Sequence, residues 1–92
     1  MRLQPEETEL VGRWETIEGT VRADVVASRI KELTQTYLTK IAVSRSGWET
    51  LYRDPWDLRL WELTYPQGEM HGGGPPMLRT LSIQEAQSKY EF

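Results

Sequence analysis

The sequence predicts an α+β domain: an antiparallel sheet of about five strands, covered by one long helix over about 24–38, with a short C-terminal helix. Three observations carry this reading. Apolar residues follow a 3.6-residue period over one long segment only, as an amphipathic helix requires. The segments that follow it change to a period near 2, the mark of half-buried strands. The gaps between those segments are too short for crossover helices, so neighbours run as an antiparallel meander. The order is β-α-β-β-β-β-α.

Taken in sequence, Thr8 to Ile17 reads as a first strand, with Leu10, Gly12, Trp14 and Thr16 on one face. Gly12 inside it marks a bulge or a close backbone approach. Glu18-Gly19-Thr20 signals a turn, and Val21-Arg22 a short extended piece. Asp24 is placed to cap the helix, its carboxylate accepting from free amides of the first turn. Val26, Ala27, Ile30, Leu33, Tyr37 and Leu38 then form the apolar stripe. Lys40–Val43 is a buried strand, Ser44–Gly47 a hairpin loop with Gly47 left-handed, and Trp48–Arg53 the next strand. The cluster Asp54-Pro55-Trp56-Asp57 stops it. Leu58–Tyr65 is a further strand, with Arg59, Trp61, Leu63 and Tyr65 on one face, ended by Pro66. Met77–Leu81 is the last strand, and Ser82-Ile83-Gln84-Glu85 is a capping box that opens the C-terminal helix.

The chain has 92 residues, with 38% apolar and 27% charged content, which is globular and fits one domain over 1–92. It has no cysteine, so disulfides and thiolate metal sites are excluded, in keeping with a reducing cytoplasm. No apolar run reaches membrane-spanning length, and the opening residues lack a signal-peptide core. Net charge is −3, and the acidic excess lies in residues 1–18, in Glu6, Glu7, Glu9, Glu15 and Glu18 against Arg2 and Arg13. Without a lysine or arginine cluster, direct nucleic-acid binding is not expected. An acidic edge instead suits a basic protein partner.

Most candidate chemistry falls in one run, Tyr65 to Thr80, which holds the sole histidine, His71, and the segment Gly72-Gly73-Gly74-Pro75-Pro76. Those glycines lead into prolines and a strand, whereas a phosphate cradle leads into a helix N-terminus. Glu69 and His71 offer two metal ligands, short of the three or four a site needs, with only Glu62 or Asp54 to add. No catalytic residue, metal or cofactor is predicted. Trp48, Trp56 and Trp61 cluster with Tyr52 and Tyr65. Trp56 stands apart because it sits in a turn, where an exposed indole suits a protein contact.

The stretches Gly47–Pro55, Trp61–Gln67 and Glu69–Pro76, with Glu7–Trp14 and Glu85–Tyr90, resemble the immunity protein 27 family of bacterial polymorphic-toxin systems. The Gly-Gly-Gly-Pro-Pro segment is the most specific part. The resemblance implies a small cytoplasmic, non-enzymatic protein that binds a cognate toxin domain, a nuclease among the candidates, and blocks it. Trp56 and Leu58 depart from the polar turn residues usual in that family, as expected of a partner-facing surface. Partner contacts are accordingly expected at Trp56, Glu62, Glu69, His71, Gly72, Gly73 and Gly74, and at Glu6, Glu7 and Glu9 toward a basic toxin. The alternative is a small-ligand or peptide-binding module using loop 67–76.

Overall fold

The computed structural model describes residues 2–68 and 74–92. Its elements are β1 (Glu9–Val11), β2 (Trp14–Ile17), β3 (Thr20–Ala23), α1 (Val25–Thr36), β4 (Thr39–Val43), β5 (Thr50–Arg53), β6 (Leu60–Thr64), β7 (Met77–Leu81) and α2 (Ile83–Lys89). Five strands form one antiparallel sheet in the order β1-β7-β6-β5-β4, and β2 pairs with β3 as a separate hairpin. The α+β class and the five-stranded sheet are as the sequence predicts.

The predicted first strand divides at Gly12. A Cβ there would lie 2.7 Å from the Pro76 carbonyl oxygen and 2.9 Å from Ala27 Cβ, so the backbone passes too close for any side chain. The Gly12 amide donates to Pro76 O at 2.8 Å. Beyond the break the chain leaves the sheet and folds back on itself through Glu18 (φ 52°) and Gly19 (φ 79°), a two-residue turn with both positions left-handed. Val21-Arg22 thus belongs to a true strand, β3. Asp24 caps α1 as expected, accepting from Ala27 N–H at 2.8 Å, and it also accepts from Arg13 N–H at 3.2 Å.

Helix α1 is shorter than the predicted 24–38, because the Tyr37 and Leu38 amides both donate to Leu33 O, a wider closure that ends the regular ladder. Leu38 still joins the core, so the apolar period runs past the helical backbone. The α1 face of the sheet packs Leu10, Tyr52, Trp61 and Leu78 against Ile30 and Leu33, with Leu3 of the N-terminal arm completing the cluster. The opposite face is also covered. Leu51, Leu60 and Leu81 pack with Ala86 and Tyr90 around α2, whose Ser82–Glu85 capping box forms as predicted. At the edge, the β4–β5 register shifts between Lys40 and Ala42, and both Ile41 and Ala42 pack toward the α2 side.

Candidate functional site

The segment from Asp54 to Arg59 joins β5 to β6 and carries two exposed large apolar residues within three positions, Trp56 (59% exposed) and Leu58 (66%). Its base is a fully buried carboxylate. Asp54 Oδ1 accepts from the Tyr37 hydroxyl at 2.6 Å, from Trp56 N–H at 2.8 Å and from Asp57 N–H at 3.4 Å. The backbone closes around it, with Asp54 N–H donating to Arg59 O and Leu58 N–H to Asp54 O, each at 2.9 Å. The sequence produces this locally: Asp favours bonding amides two and three residues on, and Pro55 presets the first bend. Burial, and then the Asp54 carboxylate beside it, push the Tyr37 hydroxyl up to about 12.

Leu58 closes the turn at φ 66°, a position that normally goes to glycine or asparagine. For a branched side chain the left-handed conformation costs about 1 kcal/mol. Its side chain, being two-thirds exposed, recovers little of that through burial.

The turn is tied to the N-terminal arm. The Arg59 side chain bonds Asp57 Oδ2 at 2.7 Å and donates to Glu7 O at 2.5 Å and Gln4 O at 3.0 Å. Arg29 grips the Glu7 carboxylate with both terminal nitrogens, at 2.6 and 2.8 Å, and this guanidinium holds the Glu7 carboxyl at about 2. The Arg2 guanidinium lies 4.7 Å from the centre of the Trp56 ring.

Of the residues expected at a partner surface, Glu6 and Glu9 are exposed and Glu7 is committed to Arg29. Glu62 requires correction. It is 1% exposed and its carboxylate accepts from the Tyr90 hydroxyl at 2.8 Å and meets Lys89 Nζ at 2.9 Å and Arg79 at 3.5 Å. Strand alternation points it away from Trp61, onto the face that α2 covers, so it latches the C-terminal helix and offers nothing to a partner. Lys89 also pairs with Glu49. Burial opposes the Lys89 charge, but its two carboxylate partners outweigh that and raise its pKa.

Gly74 is buried at φ 72°, and a Cβ there would meet Gln67 O at 2.3 Å, so it shapes the backbone rather than a contact. Glu69, His71, Gly72 and Gly73 lie outside the described residues. Trp56 and the described residue Tyr65 flank opposite ends of β6, a strand of five residues or about 16 Å. The loop end instead borders an open groove lined by Trp14, Ala27, Tyr52, Tyr65 and Pro76. Among the described residues no three His, Asp or Glu side chains gather as metal ligands, and no helix is long and apolar enough to cross a membrane.

The Asp-Pro-Trp-Asp signal located the turn correctly. Leu58's left-handed backbone and Tyr37's bond to Asp54 were beyond the sequence, because nothing in a leucine announces positive φ and the tyrosine lies on a distant helix.

Comparison with known proteins adds one finding. Neither the curated proteins nor the solved structures give a match. The family model for Immunity protein 27 matches residues 16–82, a span that includes α1, β4 to β7 and the Asp54–Arg59 turn, so the chain belongs to the immunity protein 27 family.

Proposed function

We propose that the chain binds a cognate bacterial toxin domain and neutralises it by covering its active site or substrate groove, performing no chemistry itself. Family membership over residues 16–82 supports the class of partner. The single observation that supports a contact mechanism is Trp56, a large apolar side chain held exposed by a turn whose base is buried. Such rigid, exposed aromatics dominate binding energy at protein interfaces, since little side-chain entropy remains to be lost. Glu6 and Glu9 add an exposed acidic edge suited to a toxin with a basic groove, such as a nuclease.

On this reading a toxin gene lies directly upstream of this chain's gene, and the test uses the toxin domain that it encodes. Co-expression should protect cells, and purified chain should form a stoichiometric complex in which toxin activity is lost in competition with substrate. A stable complex that remains fully active would rule out occlusion. His71→Ala should leave protection intact, and loss of protection with binding retained would instead indicate chemistry by this chain.

A further inference from the structure

Two large apolar side chains stand exposed within three residues, on a turn that the rest of the molecule goes to some length to fix. Asp54 is fully buried beneath it and collects the Tyr37 hydroxyl and two backbone amides. Leu58 is kept left-handed although glycine or asparagine would sit there without strain, and its exposed side chain contributes little to the core. Backbone strain with no return in packing points to a role outside the fold. The charge around the tip narrows the partner. Asp54 is buried and Asp57 is paired with Arg59, so this tip presents apolar surface and the Arg2 guanidinium rather than free carboxylate. It therefore suits an apolar cleft whose rim leaves the guanidinium in water, not a basic substrate groove.

We infer that the Asp54–Arg59 turn inserts its tip into an apolar cleft of the toxin domain, with Trp56 and Leu58 as contact residues and Asp54 and Tyr37 as the residues that position them. This rests on the toxin-binding reading and deepens it: the acidic edge steers approach, while the tip determines which toxin fits. Tyr37 lies 17 residues from Asp54 in sequence and donates to it at 2.6 Å, so the turn's shape is fixed from α1 before any partner arrives.

The decisive variant is Leu58→Asn, which tolerates the left-handed backbone but removes the apolar side chain. Thermal melting should show Tm unchanged or raised by about 2–6 °C. Titration against the upstream-encoded toxin domain should show affinity weakened about tenfold or more. Tyr37→Phe keeps the ring and loses the hydrogen bond. In protein labelled with 5-fluorotryptophan it should broaden the Trp56 fluorine line and weaken toxin affinity about threefold to tenfold. Asp54→Asn alone, which retains an acceptor oxygen for the Tyr37 hydroxyl, should keep the narrow line and most of the affinity. Unchanged toxin affinity in Leu58→Asn would overturn the inference while leaving toxin binding in place. A marked fall in Tm for that variant would show Leu58 to be structural and would equally overturn it. Concentration-dependent self-association in sedimentation, lost in Leu58→Asn while toxin affinity holds, would assign the tip to a second copy of this chain. Wild-type protein that fails to bind the toxin domain would remove both readings together.

Discussion

Two turns at opposite ends of β5 each display a tryptophan to almost the same extent, yet they are built differently. Trp48, 60% exposed, leaves the loop between β4 and β5, which has ordinary hairpin chemistry. Gly47 takes the left-handed position at φ 80° with open space around it, and the Ser44 and Ser46 hydroxyls close the loop at the surface. Its indole then meets Tyr65 edge-on, with ring centres 6.4 Å apart, and so has an aromatic neighbour within its own chain. Trp56, 59% exposed, rises from a buried carboxylate, and the left-handed position of its turn is filled by a leucine. Exposure alone does not separate the two. What lies beneath each indole does: one loop has the residues its backbone asks for, and the other holds apolar residues against local preference.

The largest effect should come from the bases of the two turns. Asp54→Ala removes the acceptor for Tyr37 and for two turn amides, and chemical denaturation should show a loss of about 3 kcal/mol. Ser44→Ala, at a partly exposed position, should lose no more than about 1 kcal/mol. Equal losses would mean that the two loops are not differently supported.

The left-handed positions should respond with opposite signs. Gly47→Ala puts a Cβ on a conformation that disfavours it, at a cost of about 1 kcal/mol even in open space. Leu58→Gly relieves the same kind of strain but adds unfolded-state entropy, so its stability should stay within about 0.5 kcal/mol of wild type. A large loss at Leu58 would show that its side chain packs usefully after all.

The third difference is in pH response. Glu7 ties down the arm that Arg59 grips beside the Trp56 turn, and Arg29 holds its carboxyl at about 2, below its ordinary 4.5. A carboxyl with a lowered folded pKa stabilises the protein above its unfolded value, and that stabilisation drains away as pH falls from about 4.5 toward 2. Glu7→Gln should therefore be less stable than wild type by about 1 kcal/mol at neutral pH and level with it near pH 2. A gap that stays constant across that range would show that the ion pair contributes nothing.

These contrasts also mark where the sequence was legible. Local rules read well: Asp24 and Ser82 as caps, Gly47 as left-handed, Gly12 as a bulge or close approach, and the strand period that sets Trp61 and Leu63 on one face. What failed needed the third dimension. Glu62 looked like a surface carboxylate because alternation put it opposite Trp61, and only the return of α2 across that face, bringing Lys89 and Tyr90 to it, makes it an interior residue. Leu3 lies outside every predicted element, yet it is fully buried and helps close the core over α1. The first strand looked continuous because Gly12 can extend a strand or break one, and the choice was made by Pro76, distant in sequence. The sequence set Trp56 apart in a turn and put Trp48 at the start of a strand, yet both are exposed, and what separates them comes from Tyr65, Tyr37 and a buried Asp54.

The most direct measurement sets those two tryptophans against each other. Titration calorimetry of Trp56→Ala and Trp48→Ala with the upstream-encoded toxin domain, each first checked for an unchanged Tm, isolates their share of binding. Trp56→Ala should weaken affinity by about 2 kcal/mol, roughly thirtyfold, and Trp48→Ala by less than about threefold. Equal losses, or the larger loss at Trp48, would contradict the account.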